Sequence, residues 1–186
     1  MKRFFPKLNQ VNLNNLMIDD IGEYSITRPE EAELITDIII RESKSTDVIL
    51  DGMAGTGGNT ISFCNYFKNV ISVENDISRF NILNHNLKQY QFTNYKTYYD
   101  DCLNIIDEGN YNIIFFDPPW GGKNYLKREK VELSISGFKI WMIIKYILKE
   151  NNGCNIFLKI PSNFDLIKLK EELLISDNIK IFKFEI

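Results

Sequence analysis

Apolar residues along the chain fall into short runs closed by acids, glycines or asparagines, and between these runs they recur at helical spacing. The runs 47–51, 70–74, 95–99, 112–117, 154–160 and 179–185 read as strands, and segments 28–43, 59–67, 77–90, 138–149 and 163–174 read as helices. Ile113-Ile114-Phe115-Phe116 is apolar at every position, as a strand covered on both faces of a parallel sheet must be. Strand and helix alternate to the end, which predicts an α/β, Rossmann-like fold: a central, mostly parallel sheet with helices on both faces. The first helix has a start signal in Thr27, Pro29 and Glu30. Phe80, Leu83 and Leu87, and Ile140, Ile143, Ile144 and Ile147, form helical stripes that belong to the core. Pro118 to Gly137 has no such period and is the expected functional loop.

Chemistry gathers where the strands end. Asp117-Pro118-Pro119-Trp120, followed by Gly121-Gly122, closes the most apolar strand, at the carboxyl edge where open α/β sheets place ligands. Two successive prolines remove two donors and fix two φ angles, which frees nearby carbonyls to act as acceptors. An amine held by the Asp117 carboxylate and the Pro118 carbonyl, on a ring stacked against Trp120, would have its nitrogen lone pair aimed at an electrophile. A strand-ending turn with Trp120 in the core is the plainer reading of that tetrad.

A second element shifts the balance. Val48-Ile49-Leu50-Asp51-Gly52-Met53-Ala54-Gly55-Thr56-Gly57-Gly58-Asn59-Thr60 is a strand, a glycine-rich turn and a helix start. Its spacing is not that of the dinucleotide loop, and it lacks the lysine of a phosphate loop. It reads as an S-adenosylmethionine loop in which Asp51 serves the methionine ammonium, through water or by holding the loop, while Gly52 and Gly55 pack on the sugar and amino-acid part. Glu74 ends the next strand where a ribose-binding carboxylate belongs. Asp101 and the Cys102 amide follow the third strand, placed to accept from and donate to an adenine.

On these residues the chain resembles the trimethylguanosine synthases, cap guanine-N2 methyltransferases of the Rossmann-like class I S-adenosylmethionine-dependent type. The similarity runs along nearly the whole chain: Tyr24 to Glu30, with the family's Thr-Pro-Glu interrupted by Arg28; Gly57-Gly58-Asn59-Thr60; Pro118-Pro119-Trp120-Gly121-Gly122; Gly137-Phe138; and Leu158 to Asp165. The resemblance implies Asp117, Pro118 and Trp120 as catalytic residues. It implies Thr27, Asp51, Gly52, Gly55, Asn59, Glu74, Asn75, Asp101 and Cys102 around the donor, and Trp120, Gly121, Lys123, Tyr125 and Asn163 around the substrate. It allows Ser at 117, so the chemistry does not demand a carboxylate there. It implies a larger helical extension than the segment before residue 24, and two final strands where 179–185 supplies one. Either the chain is shortened or another segment covers that sheet edge.

At 186 residues, with 44% hydrophobic and 13% aromatic content, the chain reads as one methyltransferase domain, 1–186, with a short extension over about 1–24. No stretch is long and apolar enough to cross a membrane, and none has the form of a signal peptide, so the expected place is intracellular, in nucleus, cytoplasm or a viral host's cytoplasm. Cys64, Cys102 and Cys154 are scattered without metal-ligand spacing, and His85 is the single histidine, so no metal is expected. The abundance of Asn, Ile and Lys is that of an AT-rich genome, as in some protists and large DNA viruses. The net charge of −3 excludes a general duplex binder. Lys123, Lys127, Arg128 and Lys130 nonetheless crowd the loop after Trp120, where a cap triphosphate would pass, with Lys2, Arg3 and Lys7 at the start of the chain.

The expected activity is in-line methyl transfer from S-adenosylmethionine, leaving S-adenosylhomocysteine, to the 2-amino group of 7-methylguanosine in capped RNA or a cap nucleotide, by a monomer. The alternatives are an amino-methyltransferase acting on an internal adenine or guanine of RNA or DNA, and a cap-binding subunit without turnover.

Overall fold

The computed structural model describes residues 1–186 apart from 9–10, 108, 110, 151–152, 175–179 and 184–186; the side chain of Lys123 also lies outside the described set. In chain order the elements are α1 (Asp20–Ser25), α2 (Pro29–Ser43), β1 (Val48–Asp51), α3 (Gly58–Tyr66), β2 (Asn69–Glu74), α4 (Ile77–Gln89), β3 (Tyr95–Tyr99), α5 (Cys102–Ile106), β4 (Ile113–Phe116), β5 (Ser134–Ile135), β6 (Phe138–Lys139), α6 (Ile140–Glu150), β7 (Asn155–Leu158) and α7 (Leu166–Leu173). The main sheet has the order β3-β2-β1-β4-β7, and every pairing in it is parallel. This is the Rossmann-like α/β architecture that the alternating pattern predicts.

Strand periodicity of two sorts the core into two layers. Ile49, Val70, Ile113 and Phe115 face one way, into a cluster with Ile35 and Ile39 of α2, Ile61 and Phe63 of α3, and Leu83 and Leu87 of α4. Leu50, Val73, Ile114 and Phe116 face the other way, onto Ile105 of α5, the Ile140, Ile143, Ile144 and Ile147 stripe of α6, and Leu169 and Leu173 of α7. The start of the chain joins the first layer: Phe4, Phe5, Leu13 and Leu16 are buried in it. Asn86 fastens that segment, accepting from Met17 N at 2.9 Å and donating to Met17 O at 2.9 Å and Thr56 O at 3.0 Å. His85 Nε2 lies 2.7 Å from Asn15 O, so the single histidine packs helix against chain start.

Several elements differ from the sequence expectation. The N-cap of α2 is Arg28, without a side-chain cap bond, because the Thr27 hydroxyl is drawn into the cleft instead. Helix α5 is a single turn, too short to show a period, and is set by Asp101 accepting from Leu103 N at 2.9 Å. The loop after Trp120 holds a 3₁₀ turn, Gly122–Lys127, and the β5–β6 hairpin, whose two central residues, Ser136 and Gly137, have φ of 51° and 85°. Of the strand expected over 179–185, Lys180–Lys183 form none, and residues 179, 184 and 185 lie outside the described set. Lys180 instead pairs with Glu42 at 2.7 Å, and Phe182 lies under Arg41, beside the end of α2.

Asp51 ties β1 to α3. Its side chain is fully buried, accepts from Thr60 Oγ1 at 2.6 Å while Oδ1 has no partner among the described residues, and is pushed up to about 7 by that burial. An unfolded aspartate loses its proton near pH 4 (about 3.9), so between these values the folded chain holds a proton that the unfolded chain does not. Asp51 therefore favours folding below pH ~4, and that contribution is lost as pH rises through about 7, at most about 4 kcal/mol in all. Asp51→Asn keeps a carbonyl for Thr60 and removes the titration. Denaturant unfolding across this range should show the variant gaining on the parent chain as pH rises; a constant difference would mean that Asp51 is ionised throughout.

Candidate functional site

A cleft of about 880 Å³ opens at the carboxyl ends of β1, β2, β3, β4 and β7. The strand order reverses there between β1 and β4, the place where doubly wound sheets leave a crevice. Residues of α1, among them Ile21 and Tyr24, and the hairpin tip at Ser134–Ser136 form its remaining walls.

At one end lies the glycine-rich turn. The Gly52 amide donates to Phe115 O at 2.9 Å, and a Cβ there would stand 2.9 Å from the Phe116 ring, so only glycine lets the turn cross β4 this closely. Gly55 has φ +56° and open space where its Cβ would be, and its amide donates to Glu74 Oε2 at 2.9 Å. Glu74 Oε1 accepts from Asp76 N at 2.8 Å, with Arg79 Nε 3.5 Å away. Asn75 lies exposed beside it. Asp101 lines the cleft while capping α5 with one oxygen and accepting from the Ser136 hydroxyl with the other. Burial pushes the Cys102 thiol up to about 12, leaving it neutral and unreactive. Asn59 donates to Thr27 Oγ1 at 3.0 Å, and its own Oδ1 is buried without a partner.

The other end is built on a residue that the strand pattern did not single out. Lys159 N donates to Phe116 O at 2.8 Å, which extends the β4–β7 ladder by one residue and sets the lysine beside Asp117. Its ammonium donates to Thr27 Oγ1 at 2.9 Å and forms ion pairs with Glu31 Oε1 at 3.0 Å and Asp117 Oδ2 at 3.2 Å, so one cation serves two carboxylates. Thr27 in turn donates to Asp117 Oδ2 at 3.3 Å. Burial acts to lower the Lys159 ammonium, but Asp117 and Glu31 outweigh it and hold the group above its ordinary value. Burial pushes the Asp117 carboxyl up, and Lys159 opposes that shift. A charged residue directly after an apolar strand run was the available signal, the same signal that marks Asp51, Glu74 and Asp117.

Trp120 is half-buried, with Tyr125 edge-on at 5.2 Å and the Lys159 ammonium 5.5 Å from its ring centroid; its indole nitrogen is buried without a partner. Pro118 is buried and Pro119 is exposed, both at the cleft wall. The cleft thus brings together Thr27, Gly52, Gly55, Asn59, Glu74, Asn75, Asp101, Cys102, Asp117, Pro118, Trp120 and Tyr125. Asp51 lies beneath the turn. Gly121 is outside the cleft wall, with its Cβ position 3.2 Å from the Arg128 guanidinium. Asn163 also stands behind the wall, donating to Tyr125 O at 3.0 Å and Arg128 O at 2.8 Å and so fixing the 3₁₀ turn. The Lys123 side chain lies outside the described set. Among the described residues, no group of three or more His, Cys, Asp or Glu could hold a metal ion, and no helix is long and apolar enough to cross a membrane.

Comparison with known proteins agrees with this arrangement. The chain is 31% identical to an uncharacterized protein of Acanthamoeba polyphaga mimivirus, over 98% of this chain and 80% of the relative. It is 26% identical to the trimethylguanosine synthase of Saccharomyces cerevisiae over 90% of this chain and 54% of that protein, and 30% identical to that of Schizosaccharomyces pombe over 59% and 48%. The chain spans about half the length of these two yeast enzymes. Among solved structures, precorrin-8w decarboxylase of Methanobacterium thermoautotrophicum shares the fold, with a TM-score of 0.52 and 16% identity over 76% of this chain and 69% of that one. The fold is that of the Rossmann-like class I methyltransferases, and a profile described as RNA cap guanine-N2 methyltransferase matches residues 46–184. A match over that span, carrying both the glycine-rich turn and the Asp117–Trp120 strand end, makes the chain a member of the RNA cap guanine-N2 methyltransferase family.

Proposed function

We propose that this chain transfers a methyl group from S-adenosylmethionine to the 2-amino group of 7-methylguanosine in RNA caps, giving 2,7-dimethylguanosine, 2,2,7-trimethylguanosine or both. One observation carries the reading: a single cleft holds the glycine-rich turn and Glu74 at one end and Asp117, Pro118 and Trp120 at the other.

The donor end suits a nucleoside bearing an amino acid. Gly55 leaves open space for it, Asn59 Oδ1 is a buried acceptor in want of a donor, and each Glu74 oxygen keeps a lone pair beyond its present bonds. Glu74 and Asn75 would take the ribose, Asp101 and the Cys102 amide the adenine, and Thr27, Gly55 and Asn59 the amino-acid end, while Asp51 holds the turn from below. Bound there, S-adenosylmethionine supplies an electrophilic methyl group on a cationic sulfur.

The acceptor end suits a cationic purine. Glu31, Glu74, Asp100, Asp101 and Asp117 outnumber Arg28, Arg79 and Lys159 along the cleft, and this excess of acids favours cations. Stacking on Trp120 contributes roughly 1–3 kcal/mol for any base, and a ring made positive by 7-methylation gains further from the indole quadrupole. Asp117 and the Pro118 carbonyl then hold the amine, a weak nucleophile whose reaction depends on positioning. Lys127 and Arg128 are exposed beyond Trp120, on the side where a triphosphate chain would leave. The substrate places the activity where capped RNA is found, in the nucleus or cytoplasm, or in the host cytoplasm for a viral protein.

With labelled donor, 7-methylated guanosine cap nucleotides should react and unmethylated ones should not, with products identified by chromatography. Equal rates would point instead to an internal-guanine methyltransferase.

Trp120 carries packing as well as stacking, so its removal and its conservative replacement should differ. Trp120→Ala should abolish transfer and also lower stability by about 1–3 kcal/mol, because the contacts with Tyr125 go with it. Trp120→Phe should melt near the parent temperature but raise KM for the 7-methylated cap about tenfold, the smaller ring being the poorer partner for a cation. An unchanged KM in the Phe variant would show that stacking at this position does not hold the base.

A further inference from the structure

Methylation of an amine leaves a proton to be disposed of. The N–CH3 bond forms with the nitrogen lone pair, the S–CH3 bond breaks with its electron pair left on sulfur, and the nitrogen must then release one N–H proton to become a neutral secondary or tertiary amine. We propose that in this chain, at a position where the family pattern also allows Ser, Asp117 accepts this proton, and that Glu31 and Lys159 are the positioning residues that let a buried carboxylate do so. This rests on the amine-methylation reading given above and extends it to two residues outside the strand-end motif.

The geometry divides the Asp117 carboxylate. Thr27 and Lys159 both address Oδ2, at 3.3 and 3.2 Å, which fixes the plane of the group and leaves Oδ1 outside those bonds on a residue that lines the cleft. The charge balance explains why the lysine has two carboxylates. With Asp117 and Glu31 both ionised around one ammonium, the cluster carries one net negative charge; when Asp117 takes a proton, Lys159 stays paired with Glu31 at 3.0 Å and the cluster is neutral. In a lone Asp–Lys pair the same proton would leave a buried ammonium without an anion, which is costly in a site where the lysine side chain is only 11% exposed. Glu31 sits in the first turn of α2, where an acid by itself reads as a helix-dipole residue. Its ion pair with Lys159 is what gives it this second role.

The groups that face Asp117 are Thr27 from the segment before α2, Glu31 from α2, Lys159 from β7 and Asp51 from the end of β1. Glu31 raises the Asp117 carboxyl and Lys159 lowers it, so removing each should move the titration in opposite directions.

The test uses the full chain with 13C-labelled aspartate carboxyls, Asp117 being assigned by its loss in Asp117→Asn. In the unliganded protein, Glu31→Gln should lower the Asp117 midpoint and Lys159→Met should raise it, each by about 1–3 units. The acid limb of the kcat profile should move the same way in each variant, with the donor Kd little changed. Asp117→Asn should lose roughly 10²–10⁴-fold in kcat together with that limb, and adding Glu31→Gln to it should change nothing more. Lys159→Arg should restore part of the Lys159→Met loss. Shifts of the same sign, no shifts, or an Asp117→Asn protein that keeps its rate and limb would overturn the proposal. If 7-methylguanosine is not methylated, the profile is read on whichever purine amine the protein does methylate, so a wrong substrate and a wrong proton acceptor give different results.

Discussion

A parallel sheet covered on both faces leaves almost no room for charge until its strands end. Here β1 and β4 are buried nearly throughout, and each buries alternate residues into opposite layers. A carboxylate in mid-strand would have to face one of those layers unpaired, at a cost no neighbouring hydrogen bond offsets. The charged groups therefore stand in one row at the carboxyl edge: Asp51, Glu74, Asp101, Asp117 and Lys159 follow or close β1, β2, β3, β4 and β7 in turn. The cleft is where that row meets the crossing glycine-rich turn.

Charges so placed need partners, and the structure supplies them unevenly. Glu74 and Asp101 are held by backbone amides, a hydroxyl and Arg79, and both remain at the cleft wall. Asp51 is sealed beneath the turn with one oxygen on Thr60. Asp117 shares a lysine with Glu31, so the end of the cleft beside Trp120 is both negative and rigid. Breaking a buried ionic group on one side costs more than the group contributes to folding, which makes such a cluster a device for geometry more than for stability.

The start of the chain and the hairpin complete the enclosure by ordinary packing. Phe4 and Phe5 anchor a segment that leads through Asn86 to α1, which forms one wall, and Asn163 fixes the 3₁₀ turn that brings Tyr125 against Trp120. Residues far from the reacting atoms thus decide how wide the cleft is.

By itself the sequence determined the five strands of the sheet, its longer helices, the turn after β1 and the acids that follow the strands, because apolar periodicity and glycine placement are local properties of a chain, though the same periodicity also predicted a strand over 179–185 that Lys180–Lys183 do not form. It also carried the motif by which family membership was legible. Tertiary structure decided the rest. Thr27 reads locally as a helix cap, yet three groups from distant elements claim its hydroxyl; Glu31 reads as a first-turn acid, and Lys159 as the charged end of a strand. Gly121 and Asn163 sit in the motif but behind the wall, since a motif records adjacency along the chain and not the direction a side chain takes. The single turn of α5 and the two-residue strands of the hairpin are too short to show a period. A buried ion cluster has none at all, because it is assembled from strand ends and loops that only the folded sheet brings within about 3 Å of one another.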